Sequence, residues 1–433
     1  MKRFLAFFLA LCLFLPVLSF AELDEEELEL EEENIDLDEE GEEEDDGSDE
    51  DPMELSDQQK GKLEDMTAEV ELDTSIDPSN LYLNTNLPDN VVNILLIGVD
   101  ARGTKEVQKL PEQMRLSDSD PRDRSIAKRA DVQMILSINL DDGSIKLTSI
   151  ARNTYVEIPG RTKKSIIANS FGHAIYENGK YNRWVDTPET CIATVNKNFQ
   201  LNIQYYVAIN FFGVEEIIES LGGVDIDLTK KEASAINTYL SMSTIYKKKN
   251  GQYVLDSEGK KVRASHGKAI ANSYDNHSDK RVKLDSKKAG VQHLDGLQAL
   301  MYARLREIDD DFHRTARTRH LLDALLKSTM PRVLSGELDI LDLITDWIEY
   351  LSTNINPMEM FTIASSVLGS VNLGEVQSAS TLIQEFRIPE DGTYGYSTVD
   401  GSSVTVLKDK QGTIEAVHNF IYGRYIPAPY ADN

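Results

Sequence analysis

The chain has 433 residues, a formal net charge of −29 and 40% hydrophobic residues. It carries no basic DNA-reading element, which argues against direct action on nucleic acid. The negative charge is concentrated in residues 22–51, which hold 21 Asp or Glu and no Lys or Arg, so the rest of the chain is only mildly acidic.

The N-terminus has the pattern of a secretory signal. Lys2 and Arg3 precede an apolar run over residues 4–20, and Ala21 is a small residue at a suitable cleavage position. We therefore predict a signal peptide at residues 1–21. The run is close to the minimum length for spanning a bilayer, so an uncleaved membrane anchor is the alternative. Both interpretations place the body outside the cytoplasm, either secreted or held at the membrane surface.

Residues 22–85 are predicted to be an acidic disordered spacer, because such a segment repels itself and buries almost no apolar surface. Binding of Ca²⁺ or of a partner is the alternative role. Cys12 lies in the signal and Cys191 is alone in the mature chain, so an internal disulfide is excluded. We expect a single α/β catalytic domain over residues 86–428, supported by its hydrophobic core.

The domain begins with "NVVNILLIGVDAR", a nearly continuous apolar run that predicts a central strand buried on both faces. The segment "RADVQMILSINLDDGSIKLTSIAR" predicts two strands joined by a tight turn at Asp141-Asp142-Gly143. Charged residues stand at these strand ends, as expected where a sheet edge forms a ligand crevice.

The following segments alternate between helix and strand patterns, which indicates the α/β class. A helix is predicted over residues 187–198, then a strand in "IQYYVAINF", an amphipathic helix in "FGVEEIIESLGG" and a strand in "VDIDL". Residues 230–288 have few apolar residues and are predicted to be an insertion or a mobile excursion. Helical spacing resumes in "VQHLDGLQALMYAR" and "RTARTRHLLDALLKSTM", and the chain ends with a predicted hairpin and a closing helix.

Arginines and aspartates are the candidate functional residues, since the common hydrolase, zinc and nucleotide motifs are absent from the sequence. Arginine binds phosphate in a bidentate manner, and several converging arginines suit a ligand with more than one phosphate. Two aspartates would supply the oxygen ligands that Mg²⁺ prefers. If "YARLRE" is extended, Arg304 and Arg306 point to one face. Each arginine, taken alone, is equally compatible with a surface ion pair.

Six motifs in order resemble the LytR-CpsA-Psr family of extracytoplasmic bacterial proteins. They are "NILLIGVDAR", "RADVQMILSIN", "SIARNTYVEIPG", "FFGVEEIIESLGGVDIDL", "HLDGLQALMYARLRE" and "DDFHRTART". The resemblance implies Mg²⁺-dependent transfer of a glycopolymer, of the teichoic-acid or capsule type, from a polyprenyl-pyrophosphate carrier onto a peptidoglycan acceptor. It implies that Asp100 and Asp131 hold the Mg²⁺. The arginines that it assigns to the pyrophosphate are Arg129, Arg152, Arg304, Arg306 and Arg314, with Arg317 as a further catalytic residue.

The sequence departs from the family pattern at several positions. Asn153 replaces an aspartate after the second hairpin strand, and Thr318 replaces a glutamine in the last motif. Two other functions stay open: a noncatalytic envelope regulator, and a hydrolase that releases the carrier's phosphate to water. A general base is expected at Asp131 or among Asp309, Asp310 and Asp311. The apolar segments form either an ordinary core or a cavity for the polyprenyl tail.

Overall fold

The computed structural model describes residues 76–99, 130–171, 174–177, 180–184, 188–243, 248–249, 252–253, 282–305, 383–399 and 401–430, with separate residues between 317 and 363. The predicted signal peptide and most of the predicted spacer lie outside the described residues. Within the described part of the chain, no helix is long and apolar enough to cross a membrane.

The described part of the chain contains sixteen strands and five α-helices. The strands are β1 Val91–Val99, β2 Ala130–Asn139, β3 Ile145–Ile150, β4 Tyr155–Val156, β5 Ser165–Ile166, β6 Ala174–Glu177, β7 Lys180–Trp184, β8 Tyr205–Asn210, β9 Val224–Leu228, β10 Lys248–Lys249, β11 Gln252–Tyr253, β12 Gly290–Leu294, β13 Ser352–Thr353, β14 Ile383–Ile388, β15 Tyr394–Val399 and β16 Ser402–Leu407. The helices are α1 Pro188–Phe199, α2 Phe211–Ser220, α3 Lys230–Ser243, α4 Gly296–Ala303 and α5 Lys410–Tyr422.

The centre of the fold is a six-stranded mixed sheet in the order β13-β8-β1-β2-β3-β14. β1 runs parallel to β8 and antiparallel to β2, and β3 is antiparallel to β2 and parallel to β14. The predicted hairpin of β2 and β3 is confirmed, and Gly143 in its turn has φ +68°, a conformation that glycine adopts without steric cost.

β1 is buried on both faces, as its apolar run predicts. Ile94 and Leu96 face a core layer shared with α2, α3 and α4. Leu95 and Ile97 face the opposite layer, which contains α1 and α5. Alternate side chains of β1 thus pack into two different apolar layers. For this reason the sequence of β1 shows no alternation of apolar and polar residues. The α/β class is confirmed, with helices on both faces of the sheet.

The boundaries differ from the expectations in two segments. The residues "VQHL" form β12, which pairs with β9, and the helix begins only after Asp295 caps it. The residues "FRI" end β14 in the central sheet, so the hairpin of β15 and β16 starts later than expected. Local sequence could not show these pairings, because β9 and β3 lie far away along the chain.

Two segments expected to lack a core contain buried residues. Leu81, inside the predicted spacer, is buried in the core layer of α1 and α5. Ala233 and Ile236 of α3 are buried, so the start of the predicted excursion over residues 230–288 is part of the fold. Spaced three residues apart, these two side chains form a narrow apolar stripe that average composition conceals.

Candidate active site

The ends of four neighbouring strands lie side by side along one side of the central sheet. This row of strand ends is here called the strand-end edge, and it is distinct from the edge strands β13 and β14. β1, β3 and β8 end there at Val99, Ile150 and Asn210, and the antiparallel β2 begins there at Ala130. With neighbouring strands about 4.8 Å apart, the edge from β8 to β3 is roughly 14 Å wide. The site-bearing motifs of the sequence therefore converge on a region the size of a small ligand.

Asp131 is placed at this edge by a β-bulge. Gly98 pairs with Val132 and Val99 pairs with Ala130, so Asp131 is an extra residue opposite the end of β1. A bulge changes the direction of a side chain relative to a regular strand and is common beside active sites. The Asp131 side chain is only 14% exposed. The bulge therefore presents a largely enclosed carboxylate at the edge.

Arg152 lies beside Asp131, because it follows the end of β3, the strand next to β2. Its Nη1 is 3.5 Å from Oδ1 of Asp131, and its side chain is 41% exposed. A contact of this length and exposure contributes little to stability. The guanidinium therefore retains donors that point away from the carboxylate, and it can bind an anion from solvent.

Asn153, the residue after Arg152, connects this loop to the hairpin of β15 and β16 through its backbone. The backbone oxygen of Asn153 accepts a hydrogen bond of 2.9 Å from the amide of Thr405 in β16, and Thr154 forms an isolated bridge with Thr405. The hairpin of β15 and β16 thus fixes the loop that carries Arg152.

Arg304 reaches the strand-end edge from the opposite side. It is the C-terminal cap of α4, with backbone φ −100° and ψ 1°, so "YARLRE" begins at the end of the helix predicted in "VQHLDGLQALMYAR" and does not begin as an extended segment. The guanidinium carbon lies 3.6 Å from the ring centroid of Phe211, a cation–π contact. Phe211 directly follows Asn210 at the end of β8. Sequence reasoning missed Phe211, although an aromatic residue at a strand-to-helix junction was visible.

Arg317 has different surroundings, because its side chain is only 4% exposed. Its Nη2 donates a hydrogen bond of 2.9 Å to the backbone oxygen of Leu305, and its Nη1 is 3.6 Å from Oε1 of Glu232 in α3. These contacts connect the end of α4 with α3. They give Arg317 a structural role, and its predicted contact with pyrophosphate stays a prediction.

The other predicted site residues lie outside the described residues: Asp100, Arg129, Arg306 and Arg314. Asp100 follows Val99 and Arg129 precedes Ala130 in the chain, and both of those neighbours are at the strand-end edge. The possible general bases Asp309, Asp310 and Asp311 and the departure Thr318 are also outside the described part. Among the described residues, the structure brings Asp131 and Arg152 into contact, and it places Arg304 beside Phe211 at the end of β8 on the same edge.

Few of the described side chains could coordinate a metal ion together. The described residues contain no group of three or more His, Cys, Asp or Glu that could hold a metal ion. Mg²⁺, however, is commonly bound by one or two carboxylates, with water and substrate phosphate completing its coordination. The enclosed carboxylate of Asp131 fits that mode of binding.

Comparisons with known proteins place this geometry in context. A family model described as the LytR_cpsA_psr family matches residues 55–412. A polyisoprenyl-teichoic acid–peptidoglycan teichoic acid transferase TagU from Bacillus mycoides is 25% identical over 304 residues, covering 70% of this chain and 69% of the relative. TagU from Oceanobacillus iheyensis is 29% identical over 277 residues, covering 61% and 63%. Among solved structures, Bacillus subtilis TagV aligns at 18% identity and a TM-score of 0.44, covering 79% of this chain and all of that one.

Proposed function

The chain belongs to the LytR-CpsA-Psr family, and we propose that it is a phosphotransferase that moves a glycopolymer from a polyprenyl-pyrophosphate carrier onto peptidoglycan. The observation that carries the proposal is the convergence of Asp131, Arg152 and Arg304 at the strand-end edge. The names of the curated relatives, which are teichoic acid transferases, support the substrate class.

The described residues suit a reaction in which negative charge develops on phosphate. In the proposed step, an acceptor hydroxyl oxygen forms a bond to the phosphorus that carries the sugar. The bond from that phosphorus to the bridging oxygen breaks, and polyprenyl phosphate leaves with the bonding electron pair. Arg152 and Arg304 donate hydrogen bonds to the phosphate oxygens, so the charge is stabilised by groups already in position.

The hydroxyl proton needs an acceptor, and carboxylates are the candidates. Asp131 is the described candidate, while Asp309, Asp310 and Asp311 lie outside the described residues. If Asp131 instead holds Mg²⁺, as the resemblance implies, the base comes from the second group. Mg²⁺, when bound there, would neutralise further charge on the pyrophosphate. The enclosure of Asp131 suits either role, because a carboxylate with little access to water interacts more strongly with a cation or a proton.

The experiment that tests the proposal supplies both substrates. The purified full-length protein is incubated with Mg²⁺, a synthetic polyprenyl-pyrophosphoryl sugar and peptidoglycan fragments, and the products are identified by mass spectrometry. A sugar phosphate linked to glycan is the expected result. Free sugar phosphate alone would identify a hydrolase, and no turnover with retained lipid binding would identify a noncatalytic regulator. Either outcome contradicts the proposal.

The role of the edge is tested separately, with a matched arginine as the control. Arg332 resembles Arg152 in exposure, at 34%, and in having a carboxylate partner, Glu337. It lies at the other end of α2, where Nη1 donates to the backbone oxygen of Leu221. We expect Arg152→Ala to reduce turnover on the order of 10²- to 10³-fold. Arg332→Ala should leave it unchanged, and an equal loss in both variants would show that the edge has no special role.

A further inference from the structure

A cleft outside the strand-end edge has the composition of a binding site. It opens between the short 3₁₀ helix Pro78–Asn80, the turn at residues 159–160 and the start of α1. Its volume is about 460 Å³, within the roughly 300–1,000 Å³ range of small-molecule sites. We call it the Tyr82 cleft, and its lining includes Ser79, Asn80, Tyr82, Pro159, Glu189 and Thr190.

Tyr82 forms an aromatic wall that is held in place. Its backbone φ is +53°, a left-handed conformation that is unfavourable for a non-glycine residue. The backbone oxygen of Tyr82 accepts a 2.6 Å hydrogen bond from the hydroxyl of Tyr430. The Tyr430 ring lies edge-on to the Tyr82 ring at 6.3 Å between centroids, and Nζ of Lys197 lies 5.2 Å from the Tyr82 ring centroid. Despite these contacts, Tyr82 is 40% exposed. The chain therefore fixes the ring and leaves much of it open to a ligand.

The polar rim of the cleft is fixed by a carboxylate. Glu189, in the first turn of α1, accepts hydrogen bonds from the backbone amide of Asp77 at 2.7 Å and from Nδ2 of Asn80 at 3.2 Å. Each carboxylate oxygen can accept more than one hydrogen bond, and an amide group carries two donors and an acceptor. Glu189 and Asn80 thus keep capacity for hydroxyl groups of a ligand.

This combination matches a sugar more closely than a phosphate. An aromatic ring packs against the C–H face of a pyranose, while amide, hydroxyl and carboxylate groups pair with its hydroxyls. The carboxylates of Asp77 and Glu189 stand beside the cleft, whereas the cation at its Tyr82 wall, Lys197, is 3.6 Å from the carboxylate of Glu157. The net charge around the cleft therefore disfavours a polymer that carries a phosphate in every repeat. The lining therefore favours an uncharged glycan backbone.

The start of α1, which forms one end of the cleft, lies toward the same end of the sheet as the strand-end edge. Tyr82 forms the other end of the cleft, where the Tyr430 hydroxyl that binds its backbone oxygen also lies 3.2 Å from the backbone oxygen of Asn196. Residues 200–204 connect α1 to β8 by a short loop, so α1 runs antiparallel to β8 and starts near the end where β8 finishes. A chain of contacts joins the two places. Gln133 of β2 donates to the hydroxyl of Ser170 at 3.1 Å, and that hydroxyl lies 3.2 Å from Sγ of Cys191 in the first turns of α1. Gln133 is two residues from Asp131.

We propose that the Tyr82 cleft binds the uncharged N-acetylhexosamine backbone of the acceptor glycan. The identification of that glycan as the acceptor rests on the proposed transferase function. The cleft holds one part of the glycan strand along α1, and a sugar farther along the same strand presents its hydroxyl to the phosphate at the strand-end edge. Binding at the cleft itself does not depend on turnover.

Binding is measured by titration calorimetry with two probes on the full-length protein. The first probe is a β-1,4-linked N-acetylglucosamine tetramer, and the second is a short polyol-phosphate oligomer that represents the donor polymer. We expect the wild-type chain to bind the tetramer more tightly than the oligomer. Failure to bind the tetramer, or preference for the oligomer, overturns the assignment.

Variants locate the site. Tyr82→Ala should raise the Kd for the tetramer roughly ten-fold, while Tyr82→Phe, which keeps the ring, should stay within about three-fold. Tyr396→Ala removes a 67% exposed tyrosine of β15 outside the cleft and should leave the Kd unchanged. Asn80→Ala gives a second test if Tyr82→Ala folds poorly. Unchanged binding in folded Tyr82→Ala and Asn80→Ala contradicts the proposal. Tetramer binding without transfer, in contrast, would reject only the proposed activity.

Discussion

The strand-end edge and the opposite edge of the central sheet use polar side chains in different ways. At the strand-end edge the described polar groups are charged and partly exposed, as in Asp131 and Arg152. At the opposite edge, here called the far edge, residues 200–204 connect α1 to β8, and the polar groups packed around this connection are neutral and buried. Asn84, Asn196 and His418 are all fully enclosed there.

The far edge is closed by hydrogen bonds within the chain. Nδ2 of Asn196 donates to the oxygens of Leu81 and Ile203, and its Oδ1 accepts from the amide of Ile203. Nδ2 of Asn84 donates to the oxygens of Gln200 and Ile426. Buried polar groups with partners of this kind fasten segments together and offer little to a ligand. The contrast suggests that the far edge maintains the fold and that the strand-end edge carries the function.

We expect the largest effect on stability from substitution of Arg317, because its charged side chain is buried. Arg317→Ala removes the partner of Glu232 and the donor to Leu305. Breaking a buried pair in this way costs about 3–5 kcal/mol in the free energy of unfolding. Urea denaturation checks the value. A variant as stable as wild type would place Arg317 among the ligand-binding arginines instead.

His418 makes the far edge sensitive to acid. The amide of Ile426 donates to Nδ1, so the ring proton lies on Nε2 and faces the oxygen of Phe199. Burial lowers the pKa of His418 below its usual 6.5. The unfolded chain therefore binds a proton more readily than the folded chain, and stability falls as the pH drops below 6.5.

Because His418 binds a single proton, the slope of the free energy of unfolding with pH has an upper limit. We expect the free energy of unfolding to fall by up to about 1.4 kcal/mol per pH unit below 6.5, and to level off below the lowered pKa. His418→Gln should show a flatter dependence, measured by denaturation between pH 7 and pH 4.5. Identical slopes in the two proteins would mean that His418 does not link the far edge to pH.

We expect the smallest effect on stability from deletion of the acidic segment, residues 22–51, because it is predicted to be disordered and to pack against neither edge. Deleting residues 22–51 should change the free energy of unfolding by less than about 0.5 kcal/mol. Thermal denaturation of the deleted and full-length proteins provides the test. A large drop in Tm would mean that the segment contacts the folded body.

Four strands of the central sheet, β1, β2, β3 and β8, were predictable, because their signals are local. The apolar run of β1 and the turn at Gly143 specify a strand and a hairpin without reference to distant residues. The placement of β12 and β14 was not predictable in the same way. Each pairs with a strand that lies far away along the chain, and pairing of that kind depends on tertiary packing.

The candidate site was predictable in its residue types and less so in its geometry. Charge at the strand ends indicated Asp131 and Arg152, which the structure brings within 3.5 Å. The bulge that places Asp131 depends on the register between β1 and β2, which no local pattern reveals. Likewise, Arg152 and Arg317 look alike in sequence, and only burial distinguishes them.

The most direct test of this account measures turnover and stability in the same two variants. Arg152→Ala should reduce transfer on the order of 10²- to 10³-fold and change the free energy of unfolding by less than about 1 kcal/mol. Asn196→Ala should lower that free energy by about 1–3 kcal/mol and leave the turnover of the folded protein unchanged. Wild-type turnover in Arg152→Ala, with its fold intact, would contradict the assignment of the strand-end edge as the active site.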